Sequence, residues 1–176
     1  MTGLIDTFDK DVMIFIKNSL YVKNIGIVMS FISFLGNLGF IWIVTAVYFS
    51  IKDRNKWVGI VMTVSLLVSF ITVDLMIKGV FDRERPFEAI EGIALMTNKP
   101  FTSSFPSGHA ASSFLAAVVL SHFYMRRSIY FFLLAFMISI SRIYLFLHYP
   151  SDMAAGMLFG LAIGYFSIFL FKKIIH

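Results

Sequence analysis

Long apolar stretches alternate with short polar ones along the chain. No Asp, Glu, Lys or Arg occurs from Asn24 to Ile51, Trp57 to Val73, Pro100 to Met125, or Met153 to Phe171. A helix needs about 20 apolar residues to cross the hydrocarbon of a bilayer. Backbone groups in lipid must be satisfied within their own segment, so such stretches become helices. The pattern predicts membrane spans over residues 24–50, 57–78, 107–124, 128–147 and 151–171. Ahead of them, Leu4, Ile5, Phe8, Val12, Phe15, Ile16 and Leu20 recur at helical spacing with charges between them. That suits an amphipathic helix lying in the membrane interface, and equally a first helix packed into the bundle. Within the first span, the segment Phe34-Leu35-Gly36-Asn37-Leu38-Gly39 supplies small residues for close helix packing. The expected fold is all-α: one domain over residues 1–176, about five transmembrane helices plus the N-terminal amphipathic helix, six helices in all.

The polar segments give this bundle two faces. One long loop, residues 79–105, carries Asp82, Arg83, Glu84, Arg85, Glu88, Glu91 and Lys99. The other connections are short and basic: Lys52-Asp53-Arg54-Asn55-Lys56, Arg126-Arg127 and Lys172-Lys173. With five spans the basic segments share one face, which the positive-inside rule assigns to the cytosol. The long loop and residues 142–152 then lie together on the extracytoplasmic face.

Composition narrows the chemistry. Hydrophobic residues make up 59% of the 176 and charged ones only 14%, against about a quarter charged in soluble domains. The absence of cysteine excludes thiolate nucleophiles, disulfides and cysteine-based zinc sites. The net charge of +5 sits mainly beside apolar spans, which points to lipid headgroups and not to nucleic acid. Asp6, Asp9, Lys10, Asp11 and Lys17 near the start do not fit a cleaved signal peptide.

Three clusters fall at membrane boundaries on the outer face: Lys78 with Arg85-Pro86, then Pro106-Ser107-Gly108-His109, then Ser141-Arg142, His148 and Asp152. Singly each has an ordinary reading, as interface anchors, a helix start, or an exposed i,i+4 pair. Span parity brings all three together, and ionisable residues at membrane depth invite a functional reading. Lys78, Arg85 and Arg142, with the free N–H groups of a helix N-terminus, form an anion site. Gly108 leaves room for an oxygen near the backbone, and Ser107 adds a donor. Such a site suits the charge spread over the equatorial oxygens in phosphoryl transfer. Asp152, four residues after His148, can accept a ring proton and leave the other nitrogen as a nucleophile. His109, lacking a nearby carboxylate, suits the general acid.

Lys78-(x6)-Arg85-Pro86, Pro106-Ser107-Gly108-His109 and Ser141-Arg142-(x5)-His148-(x3)-Asp152 resemble the three signature motifs of the type 2 phosphatidic acid phosphatase superfamily, complete and in its order. The resemblance implies His148 as a nucleophile forming a phosphohistidine, Asp152 as its partner and His109 as proton donor. It implies Lys78, Arg85, Ser107, Gly108 and Arg142 as phosphate ligands. It further implies a metal-free reaction with no cofactor. Vanadium haloperoxidases share the site, so vanadate is expected as an inhibitor. The expected substrate is a membrane lipid phosphate: undecaprenyl diphosphate, phosphatidylglycerol phosphate, phosphatidic acid or lipid A phosphate. The expected location is a bacterial cytoplasmic membrane, with the bilayer as surroundings and no obligate protein partner.

Other residues are read more plainly. Asp74, one turn before Lys78, is either the salt-bridge partner that aims that lysine or a simple interface residue. His122 and His176 are not expected to be catalytic. Asp82, Glu84, Glu88 and Glu91 lack convergent ligand spacing and read as a solvated face. The alternatives are a lipid phosphotransferase using the same site and a non-enzymatic phosphate carrier.

Overall fold

A computed structural model describes residues 3–52 and 55–175. Asp53, Arg54 and His176, named above in a basic segment and as a non-catalytic histidine, lie outside the described residues.

The described chain is helical: α1 (Gly3–Phe15, extended by a π-helical turn Ile16–Leu20), α2 (Lys23–Leu35), α3 (Phe40–Lys52), α4 (Lys56–Ser69, running on as π-helix Phe70–Ile77), α5 (Lys78–Val80), α6 (Pro86–Ala89), α7 (Gly108–Phe123), α8 (Ser128–Tyr144) and α9 (Pro150–Ile175). Among the described residues three helical stretches are long and apolar enough to cross a membrane: Lys56–Val80, Met125–Tyr144 and Pro150–Ile174.

The expected span over 24–50 is broken. α2 and α3 meet at 48°, and between them Leu38 (φ 51°) and Gly39 (φ 70°) take left-handed backbone. Such torsions suit glycine and strain leucine. Gly36 is pressed against α7 and α8, where a Cβ would fall 2.6 Å from Ile138 Cγ2 and 2.9 Å from His109 Cδ2. The small residues do permit close packing, but by ending a helix. The pair counts as one further span if taken together.

α7 is the hub. It has 16 residues, about 24 Å at 1.5 Å each, and every residue from Ala110 to Leu120 except Ser112 is buried. A helix apolar all round belongs in the centre of a bundle. α9 packs on it through Gly156, Gly160 and Gly164, which face the Ser107 and Ala111 carbonyls and the Val118 side chain. A small residue every four positions lets two helix backbones touch. Trp42, Val58, Met62, Leu115, Leu120 and Ile138 fill the space between α3, α4, α7 and α8. Trp42 Nε1 donates to Ser113 Oγ at 3.0 Å, so its indole N–H is not stranded. Phe31, Val47, Ile60, Leu67, Leu133 and Phe166 point outward, as lipid-facing residues must.

α1 departs from a simple interfacial helix. Met13 and Ile16 dock against Ile143, Tyr144, Phe146 and Tyr149 at the α8–α9 corner, while Leu4, Phe8 and Phe15 stay exposed. The basic connections gather at the opposite end, where Arg127 lies over the Phe49 ring and His122 abuts Phe171.

Candidate active site

The three motif clusters meet in one cleft of about 450 Å³, lined by Lys78, Arg85, Gly108, His109, Arg142 and His148. Helix ends deliver them: α4–α5 brings Lys78, the turn before α6 brings Arg85, the first turn of α7 brings Gly108 and His109, and the α8–α9 corner brings Arg142 and His148.

His148 is buried, and its Nδ1 lies 2.7 Å from the carbonyl oxygen of Ser104. A carbonyl only accepts, so Nδ1 carries the proton and Nε2 keeps its lone pair. Nε2 stands 3.5 Å from Arg85 Nη1. Burial, reinforced by the Arg85 and Arg142 charges and only partly opposed by Asp152, lowers the His148 pKa to about 3. The imidazole is therefore neutral at physiological pH.

Asp152 does not hold the ring in the manner expected from the i,i+4 spacing. Its Oδ2 is 3.8 Å from Nδ1, beyond hydrogen-bond reach. Instead Oδ2 accepts from Ser104 Oγ at 2.6 Å and from the Tyr149 amide at 2.8 Å. The carboxylate holds Ser104, whose carbonyl holds the histidine, and the amide of the next residue, Tyr149. Proline at position 150 starts α9 and sets this corner two residues before Asp152.

Arg85 is fixed by its surroundings. Nε donates to the Thr102 carbonyl at 2.9 Å, Nη1 to the Leu147 carbonyl at 2.6 Å and Nη2 to the Ser103 carbonyl at 3.1 Å. Burial lowers its pKa to about 10 against the opposing pull of Asp152, Glu88 and Asp74, so it stays cationic. Arg142 Nη1 donates to Ser33 Oγ at 2.7 Å, and among the described residues its buried Nε has no acceptor. A buried guanidinium N–H left open is a donor kept for an anion.

Lys78 Nζ lies 2.5 Å from Asp74 Oδ1. That carboxylate rests against Gly108, where a Cβ would come within 2.5 Å of Oδ1. The room beside Gly108 thus holds an oxygen, and it belongs to Asp74, at the positive end of α7. Ser107 caps α7, its Oγ accepting from the Ala110 amide at 3.4 Å. It stands behind Gly108 and His109 and outside the lining of the cleft, although the hydroxyl keeps its own proton to donate.

Sequence reasoning missed Asn37 and Ser104. Asn37 Oδ1 lies 2.9 Å from His109 Nε2, placed there by the break between α2 and α3. Ser104 carried no signal, because a backbone carbonyl does its work on His148. Glu88 pairs with Lys99 at 2.9 Å, and no group of three or more metal-ligating side chains forms among the described residues.

Comparison with known proteins finds relatives of this chain and of its fold. The chain is 30% identical to an undecaprenyl-diphosphatase of Sulfolobus acidocaldarius over 77% of its own length and 66% of that relative. Curated relatives that it matches are longer, and it spans between about a third and two thirds of them. Among solved structures, Aquifex aeolicus LpxE matches 90% of this chain and 93% of its own with a TM-score of 0.76 and 27% identity. The first transmembrane PAP2 type phosphatidylglycerolphosphate phosphatase from Bacillus subtilis shares the fold, with a TM-score of 0.79 over 98% of this chain and 89% of that one at 21% identity. The PAP2 superfamily model matches residues 56–175, which take in all three motif clusters, and the chain belongs to that superfamily.

Proposed function

We propose that this protein is a metal-independent lipid phosphatase that removes phosphate from a long-chain polyprenyl diphosphate, with His148 as the nucleophile. The observation that carries the reading is the two-natured cleft. One end holds Lys78, Arg85, Arg142 and two histidines, and the other is walled by Leu38, Ile43, Leu66, Leu67 and Phe70. Leu38 is 90% exposed and Ile43, Leu67 and Phe70 face outward, so the apolar end opens toward the hydrocarbon between α3 and α4. A ligand filling both ends has an anionic phosphate head and an apolar tail, and it enters sideways from the bilayer. A polyprenyl diphosphate fits, and the S. acidocaldarius relative is an undecaprenyl-diphosphatase.

The chemistry follows from the protonation pattern. Nε2 of His148 attacks the terminal phosphorus and forms a P–N bond, while the bond from that phosphorus to the bridging oxygen breaks and His109 gives its proton to that oxygen, which leaves on the polyprenyl monophosphate. Water then attacks the phosphohistidine, its proton passing to His109. The P–N bond electrons return to Nε2, and inorganic phosphate leaves. Lys78, Arg85 and Arg142 stabilise the equatorial oxygens throughout. The site lies at the face opposite the basic connections, which supports an extracytoplasmic active site in a bacterial cytoplasmic membrane.

The test is phosphate release by purified protein in detergent with chelator present. The panel comprises a polyprenyl diphosphate, phosphatidic acid, phosphatidylglycerol phosphate and lipid A, with His148→Ala as control. Turnover fastest on the polyprenyl diphosphate and absent in His148→Ala is expected. Faster release from another lipid would overturn the substrate, and release from none would favour a transferase or carrier.

A further inference from the structure

Arg83, Asp9 and Asp6 take no part in the chemistry above, yet they form the most densely bonded polar cluster beside it. Arg83 Nη1 donates to Asp152 Oδ1 at 2.5 Å and to Ser151 Oγ at 2.8 Å, and Nη2 to Asp9 Oδ2 at 2.7 Å and Asp6 Oδ1 at 3.2 Å. Its guanidinium lies 4.2 Å from the centre of the Tyr149 ring. Asp9 also accepts from the Ser151 amide at 3.0 Å and from the Ser151 hydroxyl. Asp9 and Asp152 are both fully buried, and a buried carboxylate persists only when paired and hydrogen-bonded.

The cluster grips the nucleophile from behind. Arg83 holds Asp152 with its side chain, and its own carbonyl accepts from the Ser104 amide at 2.8 Å. Asp152 holds the Ser104 hydroxyl, and the Ser104 carbonyl holds His148 Nδ1. Outer partners of this kind fix the tautomer and direction of an imidazole. The far anchor is Asp9, in a helix that the motifs of the family do not include.

On the footing that His148 is the nucleophile, we infer that Arg83, clamped by Asp9 of α1, is a positioning residue for the His148 corner, which makes the N-terminal helix part of the catalytic apparatus. Arg83 cannot span Asp152 and Asp9 unless α1 is docked. A lysine there would be a point charge without the two-sided fork. Among the described residues the hydrogen bonds of Arg83 and Asp9 reach the anion end through Asp152 and Ser104, so they govern the rate of attack and not phosphate binding.

The experiment measures kcat, KM, inhibition by inorganic phosphate and melting in detergent for Asp9→Ala, Asp9→Asn, Arg83→Lys, Arg83→Ala, the Asp9→Ala/Arg83→Ala double variant, Lys17→Ala and His148→Ala. Lys17 ties the same helix to the Glu91 carbonyl at 2.6 Å but has no link to Arg83. Asp9→Ala and Arg83→Lys should lower kcat about 10- to 100-fold with KM and phosphate inhibition unchanged. Asp9→Asn, which keeps an acceptor, should recover part of the loss. The double variant should be no slower than Arg83→Ala, because both break one chain, and Lys17→Ala should match wild type. Should Arg83→Ala fail to fold, Arg83→Lys and the Asp9 pair decide alone. A rise in KM at constant kcat, a loss in Lys17→Ala equal to that in Asp9→Ala, or wild-type kcat in Asp9→Ala would overturn the inference. Turnover surviving in His148→Ala would overturn the assignment of the nucleophile instead.

Discussion

Substituting Gly160 with alanine tests how tightly the reaction depends on the α7–α9 contact. A Cβ at position 160 would sit about 1 Å inside van der Waals contact with the Ala111 carbonyl oxygen. Backbone cannot rotate aside as a side chain can, so the helices must part by about that distance at this level. Overpacking of this kind costs about 1–3 kcal/mol. The site lies one turn away. Ser107 caps α7 ahead of Gly108 and His109, α9 carries Asp152, and the Ser107 amide donates to the Asp152 carbonyl at 3.0 Å. Separating them by about 1 Å displaces the proton donor from the nucleophile, and a misplacement of that size can cost about 100-fold in rate. Gly79→Ala is the control, since nothing lies within 4 Å of a Cβ there. The assay is phosphate release under saturating and limiting lipid, with melting in the same detergent. Gly160→Ala should lose about 100-fold in kcat/KM and melt lower, and Gly79→Ala should match wild type. Wild-type turnover and melting in Gly160→Ala would refute the reasoning.

Other expectations follow from single contacts. Asp74→Asn should reduce activity less than Lys78→Ala, because the carboxylate pairs with the lysine while the lysine is proposed to meet the phosphate. Activity in Asp74→Asn equal to wild type would contradict this role. Asn37→Ala should lower kcat several-fold by freeing the His109 ring, with KM nearly unchanged, and an equal rise in KM would instead mark Asn37 as a substrate contact. His148, with a pKa near 3 in the folded protein against about 6.5 unfolded, binds its proton in the unfolded chain first. Its contribution to stability is therefore complete above pH 6.5 and lost as pH falls toward 3, at up to about 1.4 kcal/mol per unit. Nitrogen NMR of histidine-labelled protein should show this ring neutral at pH 5, and titration near pH 6.5 would contradict it.

The sequence made the bundle and the cleft legible for different reasons. Runs without charge locate helices because lipid admits little else, and α4, α7, α8 and α9 fall near the expected ranges. The motif residues came together because span parity places helix ends, and six of the eight line one cleft. The break at Gly36–Gly39 stayed hidden. Two glycines in an apolar run signal close packing and helix termination alike, and only the approach of His109 and Ile138 selects the second. The Gly156, Gly160, Gly164 stripe forms no part of the sequence expectations, because glycines four apart in an apolar run do not say which helix they will meet. Asp9 reads only as one of several charges near the start of the chain, since nothing local says that Arg83, 74 residues on, will meet it. The bonding of Asp152 was the subtlest case. Spacing brings it near His148, but the choice between the ring and the Ser104 hydroxyl depends on a loop with no periodicity to read.

The central claim is that His148 accepts the phosphoryl group, and rapid acid-free quenching of a turnover with labelled polyprenyl diphosphate, followed by peptide mapping, tests it most directly. A transient label is expected on the peptide bearing His148, unaffected by chelator, missing in His148→Ala and longer-lived in His109→Ala, where no base activates the water. A label on another residue, or steady turnover in His148→Ala, would contradict it.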